Sequence, residues 1–124
     1  AQLLGAGTAW TVTSDKNMKE NCVELNHQEI LEKVKELQIY QFNYKDTPKE
    51  VVYRGPFAQD WHEKFPSAKP QTSIDTLDFD GITLSAVKGL AIEVDRLKNQ
   101  NLELVAQNSK LVARIEKLEL LISK

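Results

Sequence analysis

Ser14 and Lys19 stand five residues apart in the polar run Ser14-Asp15-Lys16-Asn17-Met18-Lys19-Glu20-Asn21. One hydroxyl and one amine at that spacing could share a proton. A serine hydroxyl is a poor nucleophile until a base takes its proton, and an amine can be that base. Lysine serves only when its pKa, about 10.4 in isolated peptides, is lowered by desolvation or by neighbouring positive charge. Burial of Lys19 is therefore a condition for activity. Lys16 would add repulsion, whereas Asp15 and Glu20 work the other way. The same residues fit a plainer use, with Ser14 as a turn or cap residue and Lys19 as a solvated charge. Spacing alone leaves both uses open.

The remaining reactive side chains offer less. His27 and His62 are too isolated for a metal site and read as surface or helix-end residues. The single cysteine, Cys22, excludes an intrachain disulfide framework and a multi-cysteine metal site, and reads as a small buried side chain. No metal or cofactor is expected.

Local patterns say what must position Ser14 and Lys19. Trp10 to Thr13 is a short β-favouring run after a small-residue opening, as for a strand arriving from an upstream domain. Asn26 with Glu29 three residues on is a helix N-cap with a reciprocal partner, and Ile30, Leu31, Val34 and Leu37 share one face, predicting a helix over 27–37. Tyr40, Phe42 and Tyr44 alternate with Gln41 and Asn43, predicting a half-buried strand over 39–44. A turn at Asp46–Lys49 lets 51–53 pair back. After Gly55 and Pro56, the four-residue spacing of Phe57, Trp61 and Phe65 puts three rings on one side of a short helix that Pro66 ends.

The last third is the largest element. Val87, Leu90, Val94, Leu97, Asn101, Leu104, Asn108, Leu111, Ile115, Leu118 and Ile122 alternate at spacings of three and four, the signature of a coiled coil beginning near Thr83 with Asp80 or Thr83 as cap. Such a helix is about 60 Å long at 1.5 Å per residue, too long to bury its seam on the chain before it. It needs partner helices. β-branched residues and Asn at a with Leu at every d favour two strands, while Ala91, Val105, Val112 and Leu121 widen the apolar stripe and favour three or more. A leucine-zipper transcription factor is disfavoured, because Asp75, Asp78 and Asp80 occupy the place of its basic helix and no Arg stands there.

The fold class is thus α+β: a small globular part of short strands and helices over 14–82, the end of an upstream domain over 1–13, and the coiled-coil helix over 83–124. A globular part this small has a marginal core without association. The net charge of −2 gives no reason to expect nucleic acid or an anionic membrane as partner. No run reaches the roughly 18 apolar residues of a membrane span, and the opening residues lack a signal-peptide pattern, so a fragment of a longer protein is expected.

Three motifs in order resemble the C-terminal intramolecular chaperone domain of endosialidases and related phage tail spikes, fibres and neck appendages. They are the Ser-Asp-x-x-x-Lys-x-Asn run at 14–21, Gly55-Pro56-Phe57-Ala58-Gln59-Asp60 leading to Pro66, and Leu77-Asp78-Phe79-Asp80 before the terminal helix. Asn17 stands where the family often has Arg, and Pro56 where an apolar residue is common. The resemblance implies a homotrimer that aligns three chains, folds the upstream domain of its own pre-protein as client, and then cuts itself off. It implies Ser14 as nucleophile and Lys19 as general base, with Asp15, Asn21, Gly55, Gln59 and Asp60 as supporting motif residues. The setting implied is the host cytoplasm during virion assembly. If Ser14 attacks within its own chain, reaching the Thr13 carbonyl closes a five-membered ring, whereas its own carbonyl would need a strained four-membered one; attack on a neighbouring chain would relax this argument. The expected cut is Thr13–Ser14.

Overall fold

The computed structural model describes residues 2–3 and 10–123. Two short antiparallel pairs and three helices follow one another: β1 (Gln2–Leu3), β2 (Trp10–Thr11), a 3₁₀ turn (Lys16–Met18), α1 (His27–Glu36), β3 (Tyr40–Phe42), β4 (Tyr53–Gly55), α2 (Ala58–Lys64) and α3 (Thr76–Ile122). The order is α+β, as expected. β1 pairs with β2 through Gln2↔Thr11 and Leu3↔Trp10, and β3 with β4 through Tyr40↔Gly55, Gln41↔Arg54 and Phe42↔Tyr53. The small-residue opening over 4–9 lies outside the described residues.

The chain forms two compact units, 1–89 and 90–124. In the first, α1 starts where Asn26 accepts the Glu29 N–H (3.1 Å), the predicted cap. Asn43 holds the β3–β4 connection by donating to the carbonyls of Lys49 (3.0 Å) and Val51 (2.6 Å). α2 is tied to α1 by a Lys64–Glu36 ion pair and by Lys33 over the Phe65 ring. Trp61 is the most buried apolar residue, 3% exposed, packed on Phe65 and stacked on Phe79 at 5.2 Å between centroids. Among the described residues only Ile30, Trp61 and Ala86 are buried apolar side chains. That core is thin for a domain of this size.

Several expectations require correction. α3 begins at Thr76, not near Thr83, because Asp75 accepts the N–H groups of Leu77 (2.8 Å) and Asp78 (3.2 Å), while Lys69 bridges Asp75 and Asp78. Gly81 is inside the helix. Phe57 does not join Trp61 and Phe65: it precedes α2 with extended backbone, and its ring stacks on Tyr40 at 4.4 Å. Cys22 is exposed rather than buried. His62 lies in the last turn of α2, as its helix-end reading has it, but is buried rather than a surface residue, and its Nε2–H donates to the Ser73 carbonyl (2.8 Å) in the segment after α2.

The second unit is the distal part of α3. Its a and d side chains, Val94, Leu97, Leu104, Leu111, Ile115, Leu118 and Ile122, are all exposed, as are Asn101 and Asn108 between them. Val87 and Leu90, which open the stripe, are also exposed.

Candidate functional site

Fully extended, five residues would carry Lys19 roughly 17 Å from Ser14. The chain does not extend. Asp15 caps a single 3₁₀ turn: its Oδ1 accepts the Asn17 N–H (2.9 Å), its carbonyl accepts Met18 N–H (3.0 Å), and the Lys16 carbonyl accepts Lys19 N–H (3.2 Å). The turn folds Lys19 back, and its Nζ donates to Ser14 Oγ at 2.7 Å. The same contact serves the reverse transfer, in which a neutral amine accepts the hydroxyl proton. Asn21 then takes φ 53°, the left-handed region in which Asn is better tolerated than other non-glycine residues, and turns the chain towards α1. Asp15 and Asn21 thus have structural reasons to flank the pair.

Ser14 and Lys19 are both exposed in the single chain, as are Thr13 and Asp15. The burial expected of Lys19 is not found within one protomer, because the turn lies outside the packed part of the domain. Gly55 closes β4 opposite Tyr40, Gln59 is exposed on α2, and Asp60 is half-buried in the first turn of α2 beside Glu63 and Lys64. The described contacts bring none of these three to the Ser14–Lys19 pair. Their motif shapes the β4–α2 corner.

A second polar cluster lies where α1 meets α3. Ser85 Oγ is 2.7 Å from His27 Nδ1, and His27 Nε2 is 3.1 Å from Glu24, which also pairs with Lys88 at 3.6 Å. The hydrogen bond from His27, followed by the Lys88 charge, holds the Glu24 carboxyl below its usual range. Serine, histidine and glutamate are the components of a hydrolytic triad, but Ser85 is 5% exposed within a helix, closed to any substrate. The cluster is a clamp. Beside it Gly89 admits α1 so closely that a Cβ would fall 3.0 Å from the His27 carbonyl carbon and 3.2 Å from Leu31 Cβ. Sequence reading missed this contact, although Ser85, Ala86 and Gly89 form a small-residue strip that marks a close helix approach.

No group of three or more His, Cys, Asp or Glu residues that could hold a metal ion occurs among the described residues, and no helix is long and apolar enough to cross a membrane.

Short α+β elements, an Asp-capped turn that brings Lys19 to Ser14 and a long terminal helix are the features to compare with known proteins. Residues 14–69 match the family model Peptidase_S74, described as the chaperone of endosialidase. The matched part holds the Ser14–Lys19 turn, α1, the β3–β4 pair and α2, and stops short of α3. No curated protein matches the chain.

Proposed function

We propose that this domain is an intramolecular chaperone that trimerises through α3, guides folding of an upstream β-helical phage spike or fibre domain, and releases itself by cutting Thr13–Ser14. The observation that carries the chemistry is the 2.7 Å contact between Lys19 Nζ and Ser14 Oγ, made by the turn that the family motif specifies. Lys19 takes the hydroxyl proton as Oγ attacks the Thr13 carbonyl. The five-membered intermediate collapses by breaking the C–N bond, and the Ser14 nitrogen regains a proton from Lys19. The resulting ester between Thr13 and Ser14 Oγ is hydrolysed by water. No cofactor enters.

Trimerisation is supported by the exposed apolar stripe of α3, which one chain leaves without cover. It also supplies what the single chain lacks. Lys19 is exposed, so water must be removed from it by chain outside the protomer: the upstream strand and neighbouring copies. Cleavage would then wait for assembly in the host cytoplasm. The rival reading, an attachment module that only registers the chains, gives the Ser14–Lys19 contact no task.

The test is expression of the domain with its natural upstream sequence. Ser14→Ala and Lys19→Ala should each leave a full-length precursor on a denaturing gel, with light scattering still giving three chains. Normal processing in either variant would sink the mechanism, and a monomer or dimer would sink the trimer.

A further inference from the structure

Asn101 and Asn108 interrupt an otherwise apolar run of a positions, seven residues apart, and each directly follows a glutamine at g, Gln100 and Gln107. Both asparagines are exposed in the single chain. We infer that in the assembled trimer each asparagine layer holds one monovalent, weakly hydrated anion of the chloride class on the three-fold axis. The inference rests on the three-chain assembly proposed above, with its helices parallel and in register, because one chain supplies only a third of each site.

The donors and acceptors of one layer do not balance without it. Three helices in register bring three Asn side chains together, and the Leu97, Leu104 and Leu111 layers above and below close them to water along the axis. Each Asn brings two N–H donors and one carbonyl oxygen with two lone pairs. A closed ring, in which each amide donates to the carbonyl of the next chain, uses one donor and one lone pair per chain. The second lone pair faces the rim, where Gln100 or Gln107 lines the hole that receives the next chain's Asn and offers its own N–H. Three N–H groups remain, related by the axis, and buried donors left unpaired are costly. A water molecule on the axis accepts two hydrogen bonds, one short of what the layer needs. A single anion accepts all three.

The charges beside the seam select the sign. From Lys98 to Arg114 the e and g positions are Lys98, Gln100, Val105, Gln107, Val112 and Arg114, with two cations and no carboxylate among them. The flanking field therefore favours an anion and disfavours a cation held by inward carbonyls. At 1.5 Å per residue the two layers lie about 10 Å apart, too far to share one ion, so the trimer has two sites. Three amide donors replace only part of a water shell. Chloride, bromide and nitrate lose little on entry, and strongly hydrated fluoride loses much more.

The test uses the full chain, exchanged into sodium fluoride and then into mixtures in which sodium bromide replaces fluoride at constant ionic strength. The melting temperature, at one protein concentration, should rise by about 2–4 °C between about 10 and about 100 mM bromide, the linkage expected for two ions per trimer. General salt effects run the other way, since the less strongly excluded anion stabilises less. Asn101→Val and Asn108→Val each keep one layer and should each show half the rise, with light scattering giving three chains in every salt. A flat or falling melting temperature in trimers, or an undiminished rise in the single variants, would overturn the ion sites and leave the trimer standing. A monomer or dimer would overturn the assembly itself, and this proposal with it.

Discussion

Alanine at Gly81 and at Gly89 is the same substitution in the same helix, yet the two should move stability in opposite directions. In a helix interior, Gly to Ala is worth about 1 kcal/mol in favour of alanine. At Gly81 an added Cβ meets nothing within 4 Å, so that gain is kept. At Gly89 the Cβ would lie 3.0 Å from the His27 carbonyl carbon, nearer still to its oxygen, and 3.2 Å from Leu31 Cβ. The carbonyl belongs to the first residue of α1 and cannot rotate away, so α1 itself must retreat. Overpacking of this kind costs about 1–3 kcal/mol. The retreat also stretches the 2.7 Å His27–Ser85 hydrogen bond, worth about 1 kcal/mol. Set against the helix gain, Gly89→Ala should lose about 1–3 kcal/mol. Thermal melts followed by circular dichroism, at one fixed protein concentration because the proposed association would be linked to folding, should show Gly81→Ala melting a few degrees higher and Gly89→Ala roughly 5–20 °C lower. If both variants melt higher, α1 does not lie against α3 at Gly89. The Gly81 variant reports the helix gain separately, so propensity cannot hide that result.

Three further outcomes are expected. The Asp75 carboxyl titrates below the usual range because the Asp78 N–H and then Lys69 stabilise its anion; its contribution is complete above about pH 4 and disappears as pH falls through the lower folded value. Asp75→Asn, which keeps an acceptor for the cap, should therefore flatten the fall in Tm between pH 4 and lower pH while changing Tm little at pH 7. At Asn21, with φ 53°, Gly should be tolerated, whereas Val should cost about 1–2 kcal/mol of strain and slow the appearance of cleaved product on a gel. Replacing both Asn101 and Asn108 with Val should raise the melting temperature and broaden the oligomer distribution in sedimentation, since polar residues at a hold register at the expense of stability.

Sequence legibility followed the range of the interactions. The Asn26 cap was readable because its bond spans three residues, whereas the 3₁₀ turn at 16–18 was not foreseen, and the pairing of Ser14 with Lys19 came from the family resemblance. The start of α3 was not foreseen either. Asp78, Asp80 and Gly81 look like a break, and what overrides them is Lys69 bridging Asp75 and Asp78 together with Phe79 stacked on Trp61. His62 looked like a surface residue because its partner is a backbone carbonyl 11 positions on, which no side-chain pattern announces. The His27–Ser85 contact joins residues 58 apart, and its one trace in the sequence is the small-residue strip of Ser85, Ala86 and Gly89, which does not say what packs on it.

The thin core and the exposed seam have one cause. A chain that buries only Ile30, Trp61 and Ala86 among its described apolar side chains, while exposing the heptad face of α3, would on the proposed trimer draw much of its folding free energy from contacts with other chains. The Ser14–Lys19 pair obeys the same logic on a smaller scale. Its geometry is local and complete in one protomer, but the removal of water that a lysine base requires is not. On the proposed function, geometry without desolvation would be a safe resting state, with the bond before Ser14 intact while the upstream client folds. Rate should therefore follow the state of assembly: diluting the precursor below its association range should slow cleavage even though every residue of the turn is present.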